Sequence, residues 1–89
     1  MPYNVILTQP AFKVYKRLSY KIKAGLDRCI AFLEDSPKFG PNIQKIKGKT
    51  DCYRYQVGGW RILFKVDDVN KEVRVYEIRP RGDAYKHGH

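Results

Sequence analysis

Apolar and polar side chains alternate on both sides of Gly58-Gly59, from Cys52 to Val57 and again from Trp60 to Val66. That period marks two half-buried strands, and a glycine pair between them marks a two-residue hairpin, because both central positions of a type I′ turn need positive φ. The turn sets Val57 opposite Trp60, Gln56 opposite Arg61, Tyr55 opposite Ile62, Arg54 opposite Leu63 and Tyr53 opposite Phe64. Side chains alternate faces along a strand. Tyr53, Tyr55, Val57, Ile62, Phe64 and Val66 therefore share an apolar face, the core side, while Arg54, Gln56, Arg61, Leu63 and Lys65 share the other. A turn at Asp68-Val69-Asn70-Lys71 leads to a last strand over residues 72–79. A four-residue turn there puts Val73 and Val75 with Val66 and Phe64 in the core, and Tyr76 and Ile78 with Leu63 and Arg61 on the opposite face. A turn one residue longer or shorter flips that strand.

The first half of the chain switches period. Residues 3–7 read as a short strand. Thr8 is placed to cap a helix with Pro10 in its first turn, where the missing N–H does little harm. Ala11, Phe12, Tyr15 and Leu18 recur at helical spacing, and Ser19 is placed to cap a second helix. There Ile22, Leu26, Cys29, Ile30 and Leu33 form an amphipathic stripe that Ser36-Pro37 ends. Residues 39–42 read as loop, and residues 43–49 as an edge strand or a basic loop. The class is α+β. A small single domain over residues 1–89 packs an N-terminal strand and a helical hairpin on one face of a mainly antiparallel sheet of four to five strands.

Composition sets limits. A chain of 89 residues with 43% hydrophobic content supports one modest core. No apolar run approaches the ~20 residues of a membrane span. The strand pattern that begins at Tyr3 leaves no room for a signal peptide, so a cytoplasmic protein is expected. Cys29 and Cys52 lack metal-ligand spacing, and Cys29 falls on the apolar stripe of a helix, as a reduced buried thiol does. His87 and His89 read as part of a polar terminus rather than a metal site. No cofactor, metal or membrane partner is expected.

Charge changes the picture more. The net charge is +9, and from Lys38 to Lys65 seven basic residues (Lys38, Lys45, Lys47, Lys49, Arg54, Arg61, Lys65) accompany one acid, Asp51. Such an imbalance favours a polyanionic partner or an acidic protein, through steering and counterion release. Across the hairpin Arg54 and Arg61 are diagonal neighbours, roughly 7–8 Å apart at the backbone. Two solvated arginines on an exposed sheet face are the commoner outcome. Held close with little acid beside them, they also fit an anion such as an RNA phosphate.

Three stretches together carry a family likeness: Ile46-Lys47-Gly48, then residues 53–64 (Tyr53-Arg54-Tyr55-Gln56-Val57-Gly58-Gly59-Trp60-Arg61-Ile62-Leu63-Phe64), then residues 78–86 (Ile78-Arg79-Pro80-Arg81-Gly82-Asp83-Ala84-Tyr85-Lys86). With the short strand and helical hairpin before them, the chain resembles the RelE/ParE toxin superfamily of toxin–antitoxin systems over nearly its whole length. The resemblance implies that the first strand lies beside the last. RelE-type members enter the ribosomal A site and cleave mRNA by attack of a ribose 2′-OH on the adjacent phosphate. ParE-type members share the fold but act on DNA gyrase without nuclease activity. A decayed, non-catalytic basic binding domain is a third reading.

Residue by residue, the resemblance implies functional roles for Arg54, Arg61, Arg81 and Tyr85. Arginine keeps its proton to above pH ~12, so it serves as a bidentate clamp rather than an acid or base. Arg61 and Arg81 are assigned to the scissile phosphate, with Arg54 assisting or orienting. Tyr85 is assigned to base stacking or proton relay. Lys45, Lys47, Lys49, Lys65 and Lys86 are the expected RNA-binding set. A cognate antitoxin, the ribosome and mRNA are the implied partners. Gln56 stands where RelE-type enzymes often carry a lysine, and no glutamate–histidine pair for acid–base work is in place. Trp60, Tyr53 and Tyr55 read as packing, and Arg79 as a strand-end charge.

Overall fold

A computed structural model of the chain describes residues 2–80. Strand β1 (Asn4–Leu7) is followed by helices α1 (Gln9–Arg17) and α2 (Tyr20–Asp35), then strands β2 (Ile43–Lys45), β3 (Cys52–Val57), β4 (Trp60–Asp67) and β5 (Glu72–Pro80). The five strands form one sheet in the order β1-β5-β4-β3-β2. β1 pairs in parallel with β5, and the other pairings are antiparallel. The first strand thus lies beside the last, as the resemblance implied.

The hairpin has the expected register at every pair from Val57–Trp60 to Cys52–Lys65. Its turn differs in detail. Gly58 alone of the glycine pair takes positive φ, at 54°, which is the pattern of a type II′ turn rather than I′. β2 resolves the ambiguity of residues 43–49: it is a three-residue edge strand, and the basic residues after it form a turn. Ser19 caps α2 by accepting from the Ile22 N–H. Thr8 occupies the N-cap position of α1 but makes no capping bond. Its hydroxyl is buried without a partner among the described residues.

The core lies between the sheet and both helices. Leu26, Cys29 and Leu33 of α2 and Ala11 of α1 bury against Ile62, Phe64, Val66, Val73, Val75 and Ile78. Ile30 sits at the margin of the helical stripe, half-buried. Phe64 is fully buried and stacks with Tyr53 at a centroid distance of 5.9 Å. Tyr55 meets Phe32 edge-on at 5.8 Å. Trp60 packs against the same cluster. The parity reading of Tyr53 and Tyr55 as core residues therefore holds, as does the reading of Trp60, beside the glycine turn, as packing. Burial in this layer pushes the Cys29 thiol up to about 12, so it stays protonated and inert.

Ile78 requires a correction. Val73 and Val75 do face Val66 and Phe64, but the register then slips: Phe64 pairs with Val75 and Leu63 with Glu77. Tyr76 is the extra residue of a β-bulge. One inserted residue inverts the parity beyond it. Ile78, expected on the outer face, pairs with Ile62 and is buried in the core. Tyr76 keeps the outer face, where Lys49 lies over its ring, and Arg79 is turned out to join it.

A polar tie closes the opposite end of the sheet. The Tyr3 hydroxyl donates to Asp68 Oδ1 at 2.7 Å, and Lys38 ion-pairs with Asp68 Oδ2. This joins the start of β1, the loop after α2 and the β4–β5 turn. The Lys38 ammonium, then Tyr3, holds the Asp68 carboxyl below its ordinary value. Asp67 is lowered by the Asn70 backbone N–H and side-chain amide. A carboxyl lowered in the folded state contributes stability above its unfolded pKa, and that contribution is lost as pH falls through the folded value. Chemical denaturation should therefore show stability declining as pH drops below about 4. Asp68→Asn should reduce that decline, and equal pH slopes in the two proteins would refute the assignment.

Candidate phosphate-binding face

The face of the sheet away from the helices is the candidate site. Its hairpin end is built by parity: with Ile62 and Phe64 committed to the core, Arg61 must point the other way. Arg61 stands opposite Gln56 on β3 and opposite Arg79 on β5. Arg54 is diagonal to Arg61, as the register predicts. Three guanidinium groups thus run across β3, β4 and β5.

Like charges directly opposite each other repel at a Cα separation of about 4.5–5.5 Å. The structure compensates on one side only. Arg79 Nη1 lies 3.3 Å from Glu77 Oε2, a carboxylate that the bulge brings to this face. Arg61 has no ion pair among the described residues, and its Nε is buried without a hydrogen-bond partner among them. A buried N–H left unpaired costs roughly 1–3 kcal/mol. An anionic oxygen arriving between Arg61 and Arg79 would relieve both the repulsion and the unpaired donor.

Arg54 is engaged differently. Its Nε donates to Gln44 Oε1 at 3.2 Å, and an Nη2 bond to the same oxygen completes a fork. It is a held side chain facing the β2 edge. Arg81, Tyr85 and Lys86 lie outside the described residues, as do His87 and His89.

The lysines divide. Lys45 ends the edge strand and is exposed. Lys47 and Lys49 are exposed in the turn that follows, and the turn folds back over the outer face, with Lys49 Nζ 5.9 Å from the centroid of Tyr76. Lys65 is exposed on that face, opposite Cys52 and Arg74. Beneath this basic layer Cys52 and Leu63 are buried. Burial, with Cys52 beside it, raises the Tyr76 hydroxyl above its ordinary value. The outer face is therefore partly roofed rather than fully open.

The structure adds Arg79, read from the sequence as a strand-end charge, to the candidate residues by setting it opposite Arg61. The bulge that presents it has no local signature. One signal was available, since Arg79-Pro80-Arg81 places two arginines at the i, i+2 spacing that shares a strand face. Sequence reasoning missed Glu77 and Gln44, whose relevance depends on their cross-strand neighbours.

The fold and site define a small basic α+β protein with an arginine-lined sheet face. The chain belongs to the ParE toxin family of type II toxin–antitoxin systems (parDE), whose family model matches residues 5–85. It is accordingly a toxin of RelE/ParE type. No curated protein sequence matches the chain. Among solved structures, it is similar to the toxin of the archaeal RelE–RelB complex from Pyrococcus horikoshii OT3, with 24% identity, a TM-score of 0.79 and coverage of 92% of this chain and 98% of that one. A double-arginine mutant of E. coli toxin RelE, in complex with a peptide of the antitoxin RelB, gives 22% identity and a TM-score of 0.81, covering 100% and 96%. A YoeB/ParE toxin from Agrobacterium tumefaciens gives 14% identity and a TM-score of 0.74, covering 86% and 96%. These likenesses establish the fold. No helix among the described residues is long and apolar enough to cross a membrane.

An anion site predicts linkage. Inorganic phosphate added at constant ionic strength should raise the thermal midpoint of the wild-type chain, each 1 kcal/mol of binding linkage being worth roughly 4–8 °C in a domain of this size. Arg61→Gln should lose most of that rise without a lower midpoint in phosphate-free buffer. An undiminished rise in the variant would remove Arg61 from the site.

Proposed function

We propose that this chain is a ribosome-dependent mRNA endoribonuclease, the toxin of a pair whose cognate antitoxin holds it inactive in the cytoplasm. The observation that carries this reading is the opposed Arg61 and Arg79, with a buried Arg61 N–H that has no partner among the described residues. Attack of the 2′-OH on the adjacent phosphate forms a 2′,3′-cyclic phosphate and breaks the bond to the 5′ oxygen, which leaves as a 5′-OH. The proton lost at the 2′ oxygen balances the one gained at the 5′ oxygen, and negative charge develops on the phosphate oxygens in between. Prepositioned guanidinium groups stabilise that charge without reorganising at the moment of reaction. Arg61 and Arg79 take the scissile phosphate, and Arg81, two residues further on, takes its remaining oxygen. Arg54, forked onto Gln44, orients the substrate. Tyr85 stacks on a base, while Lys45, Lys47, Lys49, Lys65 and Lys86 hold ribosomal RNA backbone. The similarity to RelE structures, several of them complexes with RelB, supports an antitoxin partner for the single domain of residues 1–89.

A catalyst made of charge and positioning leaves orientation of the 2′-OH to the ribosome. Free RNA should therefore be a poor substrate. The second reading, a gyrase poison without nuclease activity, is favoured by the ParE family match and by Gln56 at a position where RelE-type enzymes often carry lysine.

Paired assays separate the two. The purified chain should cut mRNA on translating ribosomes and leave gyrase supercoiling unchanged, and the reverse result would establish the gyrase reading. Arg61→Ala, Arg79→Ala and Arg81→Ala should each lower single-turnover cleavage by about 10²–10³-fold. Because each removes one of several crowded like charges, the variants should stay folded by circular dichroism. Full cleavage by a folded Arg61→Ala protein would defeat the assignment.

A further inference from the structure

Beside the arginine row lies a groove of about 230 Å³ lined by Pro41, Asn42, Gln44, Arg54 and Gln56. None of these residues carries a carboxylate, and three of them end in a carboxamide. Gln56 stands directly opposite Arg61, and Gln44 is paired with Arg54 one strand further out. Strands are about 4.8 Å apart, so the groove begins within one to two strand spacings of the candidate phosphate site. That is the reach of the base belonging to a nucleotide whose phosphate Arg61 holds.

The chemistry of Gln44 is fixed by its neighbour. A guanidinium can only donate, so the Gln44 amide atom that meets Arg54 Nε and Nη2 must be its oxygen. The two N–H bonds of the Gln44 amide are then turned away from Arg54, and Arg54 keeps Nη1 as a further donor. Gln44 is exposed on the edge strand, so those donors are accessible. A donor-rich edge pairs with acceptors. At the purine 6-position and the pyrimidine 4-position guanine and uracil present a keto oxygen, where adenine and cytosine carry an exocyclic amine that would leave donor facing donor.

We propose that Gln44, held by Arg54, is a specificity-determining residue that reads a keto base next to the scissile phosphate. This rests on the ribonuclease reading above and deepens it. The Arg54 fork fixes the tautomer-like choice of the amide, and the edge position of β2 leaves room for a base to lie against it.

The test is ribosome-bound cleavage of an mRNA pool with every codon represented, sequenced at the cut ends. The wild-type chain should prefer guanine or uracil at one position flanking the cut. Gln44→Ala should lower the ratio of keto-base to amino-base cuts at that position by at least fivefold, the low end of what one base contact is worth. Gln44→Glu keeps the bond to Arg54 but presents only acceptors outward, and should shift the ratio toward adenine and cytosine. Cleavage by both variants with the wild-type base ratio would overturn this inference and leave the ribonuclease reading intact. A wild-type chain that cuts no RNA would overturn both.

Discussion

Strand β4 is hydrogen-bonded on both sides, and one of its faces is committed to the helices. Ile62, Phe64 and Val66 are buried there, and shifting them by one residue would turn the whole apolar set to solvent. That commitment determines where Arg61 points. It also fixes the register on which the Gln56 and Arg79 neighbours depend. The helical hairpin, the buried sheet face and the arginine-bearing face are thus consequences of one alternating strand held in place by the burial of its apolar half.

The bulge at Tyr76 modifies this arrangement at one point, and much of the site follows from it. Without the inserted residue β5 would continue in simple alternation, placing Ile78 outside and turning Arg79 toward the apolar side. With it, Ile78 joins Ile62 in the core and Arg79 comes opposite Arg61. Glu77 arrives on the same face and offsets part of the positive charge beside Arg79. An arrangement that places like charges opposite each other and leaves a guanidinium N–H buried without a partner among the described residues is unfavourable. An anion between Arg61 and Arg79 would relieve both costs, which is why this face is the candidate site.

Charge is also graded along the sheet. Asp51, Asp67, Asp68 and Glu72 gather at the β4–β5 turn end, where Lys38 and Tyr3 tie Asp68 to the rest of the fold. The hairpin end carries Arg54, Arg61 and Arg79. At the β4–β5 turn end Lys38 and Arg74 pair with Asp68 and Glu72, so the excess of positive charge on this face lies toward the hairpin, where a polyanion is drawn first.

The sequence by itself determined the element order, the two-residue hairpin and its register, the buried stripe of α2 and the facing of Arg54 and Arg61. Each of these is a local matter: a period of two or of helical spacing, a glycine pair, a capping serine. Motif likeness added the pairing of the first strand with the last and the family itself. What the tertiary structure alone decided was the register break in β5, and with it the facing of Ile78 and Arg79. It also decided the fork of Arg54 onto Gln44 and the folding of the Lys47–Lys49 turn over Tyr76. The reason is physical. A bulge is chosen by how β5 fits simultaneously against β4, β1 and the helices, and a side-chain partner from another strand is chosen by proximity in space, so neither leaves a periodic trace in the chain.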